Sequence, residues 1–212
     1  MSLDGLTKYE GKFLSFLEAS EQADTAHDIS HIMRVVKVAK QLAFEEQADF
    51  AVVVPAAWLH DCVSLPKNHA DRVKASTLAG DKAVELLASI GYPTEFFNAI
   101  HHAITAHSYS ANITPETLEA KIVQDADRLD ALGAIGIARC MQVSGALNRT
   151  LYSLEDPFCE YRALDDSQFA IDHFYNKLFN LTNKLNTDAA QAEGRKRERF
   201  MREFLSQLAH EV

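Results

Sequence analysis

The stretch AVVVPAAWLHDC, residues 51–62, decides between a sheet and a bundle of helices. Its first eight residues are the nearest thing in the chain to a buried strand. Pro55 inside them argues against a central strand, because proline cannot donate to the ladder. The run also flows directly into WLHDC, which reads as helix. With this segment gone, no convincing alternation of apolar and polar residues remains.

Helical spacing dominates on either side of it. Val35, Val38, Ala39 and Leu42 recur at i, i+3, i+4 and i+7, as do Ala83, Leu86, Leu87 and Ile90. Gly91-Tyr92-Pro93 stops the second of these helices, and Thr94 starts TEFFNAIHHAITAH. Thr114 reads as an N-cap, with Pro115 at the first helical position and Glu116 favourable to the dipole in the first turn. One long helix, PETLEAKIVQDADRLDALGAIGIARCMQ, is predicted from there. Residues 148–167 read as a loop with some order of its own. Helical spacing returns at FAIDHFYNKLFNL, and EGRKRERFMREFLSQLA sets Phe200, Phe204, Leu205 and Leu208 on one face. The expectation is an all-α fold of seven to nine helices in an irregular helical bundle.

Composition narrows the function classes. A chain of 212 residues can bury one sizeable core, and 8 Gly with 5 Pro favours helices over many turns. The formal net charge of −9 makes a poor general binder of nucleic acid. A polyanionic small molecule stays within reach if a bound cation supplies local positive charge. Cys62, Cys140 and Cys159 are odd in number and widely spaced, so no disulfide framework or CxxC site is implied, and they read as small core residues. The N-terminus, MSLDGLTKYEGKF, has no apolar core of signal-peptide length, and no uninterrupted apolar run reaches about 18 residues, so a cytoplasmic protein without membrane partners is expected. The basic run in EGRKRERF reads as a solvated helix face.

Against this background the polar residues on apolar faces stand out. His31 lies on one side of its helix with Val35, Val38 and Leu42, and His27 is one turn earlier. Taken alone, His31 reads as a core histidine with a hydrogen-bond partner. His60 and Asp61 follow an almost wholly apolar run, where ionisable groups are costly unless paired or metal-bound. Asp125, Asp127 and Asp130 fall within six residues of a helix that is apolar elsewhere. Asp127 and Asp130 share a face with Val123 and Ala134, whereas Asp125 points toward Ile122, Leu129 and Leu132. Arg128, Arg139 or Lys121 can pair with one acid, but three leave at least one wanting a cation. Gly133, Ala134 and Gly136 suggest close helix approach. Two imidazoles and two carboxylates from three helices form a mixed nitrogen and oxygen set suited to Mn²⁺, Fe²⁺, Co²⁺, Ni²⁺ or Zn²⁺ rather than Ca²⁺. Four protein donors on a six-coordinate ion leave two positions for water and substrate, as a hydrolase needs.

The order His31, His60-Asp61, Asp127 resembles the H…HD…D signature of HD-domain phosphohydrolases. The stretches HDISHIMRV, LHDCVSLPKNHADR, AITAHSYSA and EAKIVQDADRLDALGAIGIAR are similar to the small bacterial subgroup that includes a nucleotide pyrophosphohydrolase. The resemblance runs from about residue 20 to the C-terminus. It implies an all-α fold of the HD-domain type, a divalent metal (most often Mn²⁺; Mg²⁺, Ni²⁺, Co²⁺, Fe²⁺ or Zn²⁺ are the alternatives) and hydrolysis of phosphoester or phosphoanhydride bonds, mostly in nucleotides. It also implies His31, His60, Asp61 and Asp127 as metal ligands. Asp127 is selected by the family's A-D-x-L context, here Ala126-Asp127-Arg128-Leu129. Asp130 then falls one turn on, beside the ligands or near substrate, and His27, one turn before His31, reads as backing the ligands or facing the substrate rather than as a fifth ligand. The acidic pair that marks guanosine tetraphosphate hydrolases is missing, since Cys62-Val63-Ser64-Leu65 follows His60-Asp61. Gly91-Tyr92-Pro93 lacks the residues that precede it in cyclic-dinucleotide phosphodiesterases, because Ala88-Ser89-Ile90 stands there.

Further candidates for the pocket are Lys67 and His69 in the loop after His60-Asp61, Arg34 at i+3 from His31, and His107 at a helix end, each weighed against an ordinary exposed or capping role. The expected organisation is a single domain over 1–212, with the metal-site core at about 24–140 and C-terminal helices 141–212 packed on it. The expected reaction is (d)NTP to (d)NMP plus pyrophosphate. A 5′-nucleotidase or other phosphoesterase at the same site, and a ligand sensor without turnover, are the alternatives. The expected partner is a small nucleotide substrate rather than nucleic acid, and the protein is expected to be a monomer or homodimer.

Overall fold

The computed structural model describes residues 3–19, 29–63, 65, 72–108 and 111–212. Among these the protein is all-α, as expected. Nine helices follow in order: α1 (Leu3–Ala19), α2 (Ile29–Glu45), α3 (Phe50–Leu59), α4 (Ala75–Ser89), α5 (Phe97–His107), α6 (Leu118–Asp130), α7 (Gly133–Ala146), α8 (Phe179–Thr182) and α9 (Asp188–Ala209). The described residues contain no strand beyond one isolated bridge, Thr150 to Phe169. No helix among them is long and apolar enough to cross a membrane.

The chain divides into two compact units, Met1–Asp127 and Arg128–Val212, with the boundary inside α6. The centre of the first is α3, the segment whose sequence comes nearest to a buried strand. Every residue from Ala51 to Leu59 is buried, and α1, α2, α4 and α5 all pack against it. Asp49 starts this helix by accepting a 2.8 Å hydrogen bond from the Ala51 N–H. Pro55 cannot donate to the Ala51 carbonyl one turn back, and the Tyr92 hydroxyl donates to that carbonyl instead, at 2.7 Å. Tyr92 is delivered by the end of α4. Gly91 takes φ +71°, the Gly91 N–H donates to Ala88 O, and the Tyr92 N–H donates to Leu87 O. The Gly91-Tyr92-Pro93 stop therefore also completes the proline-containing helix. Glu10 of α1 accepts from Lys40 of α2 at 2.7 Å and from Trp58 Nε1 of α3 at 2.8 Å.

Three local expectations need correction. The N-cap of α6 is Thr117, not Thr114: Thr117 Oγ1 accepts from the Ala120 N–H, and its carbonyl accepts from the Lys121 N–H. The Glu116 N–H instead donates to His102 Nε2 at 3.0 Å, which keeps Glu116 outside the helix. The single long helix is two helices. Gly133 adopts φ +71°, where a side chain is strained, and a Cβ on Gly136 would lie 2.2 Å from the Ala131 carbonyl oxygen. The glycines make the break between α6 and α7, and Gly133 also permits the expected close approach of another helix, since a Cβ there would lie 3.2 Å from Arg197 Cβ of α9. On α9, Met201 and Leu205 are buried, Phe204 and Leu208 are half-buried, and Phe200 is 48% exposed, so the inward stripe is rotated away from Phe200.

The second unit is organised around Asp172, which is fully buried. Arg162 grips its carboxylate with two bonds of 2.6 and 2.7 Å, and the Asp165 N–H adds a third of 2.6 Å. Asp156 accepts from the N–H groups of Glu160, Tyr161 and Arg162, which gives the 148–167 segment its order. The helical spacing at FAIDHFYNKLFNL is borne out, with a π-helical turn, Phe174–Leu178, that leads into α8. Cys62 and Cys140 are buried and Cys159 is half-buried; all three are free thiols.

Candidate metal centre

The inward stripe of α2 puts His31 in the core of the first unit, with Val35 and Leu42 buried alongside it. Helix α3 ends at Leu59, so His60 is its C-cap and Asp61 lies in the turn beyond. α5 contributes His107 at its last position, and α6 contributes Asp127.

These five side chains converge. His31 Nε2 is 3.5 Å from Asp127 Oδ1 and 3.8 Å from Asp61 Oδ2. His60 Nε2 is 3.4 Å from Asp61 Oδ2, and His107 Nε2 is 3.4 Å from Asp61 Oδ1. The His60 ring meets His31 and His107 edge-on, with centroids 5.5 and 4.9 Å apart. Two groups have donor atoms all within 4.8 Å of one another: His31, His60 and Asp127, and His60, Asp61 and His107. His31 and His60 are buried, whereas the side chains of Asp61 and Asp127 are 18% and 31% exposed. The imidazoles therefore form the floor of the site and the carboxylates its open side.

The backbone sets which nitrogen is offered. His60 Nδ1 donates to the Ala57 carbonyl at 2.8 Å and His107 Nδ1 to the Ile104 carbonyl at 2.6 Å. With Nδ1 holding the proton, the neutral ring presents the Nε2 lone pair to the cluster, as a metal ligand must. His60 Nε2 is buried with no hydrogen-bond partner. A buried polar atom left in that state is costly unless something else satisfies it, and a divalent cation fits the surrounding donors. Electrostatics points the same way. Burial drives the His60 pKa down, but the Asp61 charge, with Asp127 behind it, outweighs this and raises it to about 9. Burial pushes the Asp61 carboxyl up, yet His60 and a hydrogen bond with His107 hold it well below the usual range. Without an ion His60 Nε2 thus holds a proton at neutral pH, and a bound cation would take the place of that proton and leave the ring neutral.

The other sequence candidates are placed as follows. Arg34 is half-buried, and its Nη1 donates to Ser30 Oγ at 3.0 Å. Asp130 belongs to the second unit, is 3% exposed and pairs with Arg139 at 2.6 Å. Arg128 donates to the Lys184 carbonyl. Asp125 is fully buried. His101 pairs with Asp81 at 3.0 Å and so stands apart from the cluster. His27, Lys67 and His69 lie outside the described residues. Gln124 escaped the sequence reading: its amide donates to the Ala106 carbonyl, next to His107, at 2.7 Å.

Comparison with known proteins agrees with this geometry. The HD domain family model matches residues 28–132, which span all five converging side chains. The uncharacterized Bacillus subtilis protein YpgQ is 33% identical over 192 residues, covering 89% of this chain and 85% of YpgQ. The crystal structure of YpgQ in complex with ADP superposes with a TM-score of 0.74 at 30% identity, over 97% of this chain and 96% of that one. An HD-superfamily hydrolase from Bacillus thuringiensis gives a TM-score of 0.75 at 32% identity, over 97% of each chain. With His31, His60-Asp61 and Asp127 in signature order and relatives matched over nearly their whole length, the chain belongs to the HD-domain phosphohydrolase family.

Proposed function

We propose that this protein hydrolyses nucleoside triphosphates, (d)NTP to (d)NMP plus pyrophosphate, with a divalent ion held by His31, His60, Asp61 and Asp127. The observation that carries the reading is the convergence of buried Nε2 atoms and half-exposed carboxylates at the ends of α3 and α5 and on α2 and α6. Two imidazoles with two carboxylates suit Mn²⁺ and its first-row neighbours. When bound, such an ion supplies a water of lowered pKa and a Lewis acid for a phosphoryl oxygen.

The chain's own residues do the rest. His31 and His60 hold the inner side of the site, and the Ala57 carbonyl keeps the His60 proton on Nδ1. Asp61 and Asp127 face the opening, where a polyphosphate would enter. His107, whose Nε2 faces Asp61 Oδ1, would meet a phosphoryl oxygen or a second ion. Arg34, Lys67 and His69 would neutralise the polyphosphate, which a chain of net charge −9 needs. His27 would sit beside the substrate. The ADP complex of YpgQ supports a nucleotide as the ligand class. A single domain, in the cytoplasm, is part of the same reading.

The test is a panel of nucleoside mono-, di- and triphosphates with purified protein and Mn²⁺, with products resolved as pyrophosphate or orthophosphate. Pyrophosphate from triphosphates, abolished by chelator, is expected. Orthophosphate alone would replace the reading with a phosphomonoesterase, and turnover indifferent to chelator would remove the metal centre from it.

A further inference from the structure

We propose that Gln124 is a positioning residue that seats His107 against Asp61, an inference that rests on the metal-centre reading. The last four carbonyls of a helix have no partner within it. At the end of α5 two of them are taken by side chains: Ile104 O by His107 Nδ1 at 2.6 Å, and Ala106 O by Gln124 Nε2 at 2.7 Å. The Ala106 carbonyl and the His107 nitrogen belong to one planar peptide. Fixing that carbonyl fixes the plane from which the His107 side chain departs. Gln124 is 4% exposed, so its amide has little freedom, and a carbonyl acceptor requires its nitrogen rather than its oxygen on that side. It also stands one turn before Asp127 on α6, on nearly the same face. One buried amide therefore ties the helix end that carries His107 to the helix that carries Asp127. His31 and His60 reach the cluster from α2 and α3 by separate routes, so the effect of losing this tie is selective for His107.

Gln124→Met keeps the shape and removes the donor. In the metal-free protein, ring ¹⁵N spectra of the variant should show shifted His107 nitrogens with those of His31 unmoved, and Mn²⁺ affinity should fall by up to about tenfold, because His107 is the partner that orients the ligand Asp61. A merely structural role would lower the melting temperature and leave the His107 spectrum and Mn²⁺ affinity of the folded fraction as in the wild type; either of these unchanged overturns the proposal. On the wild-type protein the Gln124 side-chain amide protons should be protected from exchange, which needs no variant to fold, and free exchange there overturns it equally. Should the wild type bind no Mn²⁺, the metal-centre reading falls, and the His107 spectra and amide exchange decide the role of Gln124 by themselves.

Discussion

Asp172 and Asp61 are both carboxylates placed among buried side chains, and the surroundings of the two differ in kind. Around Asp172 the chain supplies its own counter-charge: Arg162 with two bonds and the Asp165 N–H with a third. Around Asp61 it supplies histidines instead, whose outer nitrogens face the carboxylate at 3.4 to 3.8 Å. The first network is complete as folded. The second collects donors and leaves the centre to a cation. A fold tolerates such a cluster where function requires it, because crowding ionisable groups into a buried site opposes folding.

The comparison breaks most visibly if the two carboxylates are removed in turn. Asp61→Ala should lower Mn²⁺-dependent turnover at least about a hundredfold, more than loss of an outer partner typically does. It should also abolish the Mn²⁺-induced rise in thermal stability. In the wild type that rise should approach about 2.7 kcal/mol at a hundredfold excess of metal over Kd. Calorimetry of both proteins with and without Mn²⁺ checks this, and equal rises would make Asp61 a bystander. Asp172→Ala should behave oppositely. It leaves Arg162 and the Asp165 N–H without their partner and should destabilise by about 3 kcal/mol in urea unfolding. Mn²⁺ should still protect what remains folded.

The His60-Asp61 pair and the α2 stripe were legible because ionisable residues in apolar runs are conspicuous. The place of His107 was legible only as a helix end. That its Nδ1 is held by the Ile104 carbonyl, and the Ala106 carbonyl by Gln124, depends on backbone atoms that carry no residue signature. The break after Asp130 was missed although Gly133 marks it. Its apolar neighbours continue a helical spacing across the break, and the positive φ appears only in the folded chain. The Arg162–Asp172 pair spans ten residues of irregular backbone and obeys no periodicity.

The pH dependence of stability sharpens the contrast further. Burial pushes the Asp172 carboxyl up, but Arg162 and the Asp165 N–H overcome this and hold its pKa below the usual value. A carboxyl depressed in the folded state binds its proton more readily when unfolded. Its contribution is therefore complete above the ordinary aspartate pKa of about 3.9 and lost as pH falls from there through the depressed value. The stability gap between wild type and Asp172→Asn should be flat near neutral pH and narrow in acid, as urea unfolding at a series of pH values would show. A gap that widens in acid would contradict the assignment.

The smallest effect probes both kinds of polar group on one helix. α3 begins with a carbonyl completed by Tyr92 and ends at His60-Asp61. Tyr92→Phe should cost about 1–2 kcal/mol by leaving the Ala51 carbonyl without its donor. In a Pro55→Ala background the residue 55 N–H can serve that carbonyl, so Tyr92→Phe should cost less there. A double-mutant cycle with no coupling would detach Tyr92 from Pro55.

The central claim is that the chain holds a divalent ion between His31, His60, Asp61 and Asp127. Anomalous diffraction from crystals equilibrated with Mn²⁺ tests it most directly. A peak bounded by His31 Nε2, His60 Nε2 and the Asp61 and Asp127 carboxylates is the predicted result. No peak there at saturating Mn²⁺, or peaks only on surface carboxylates, would contradict it.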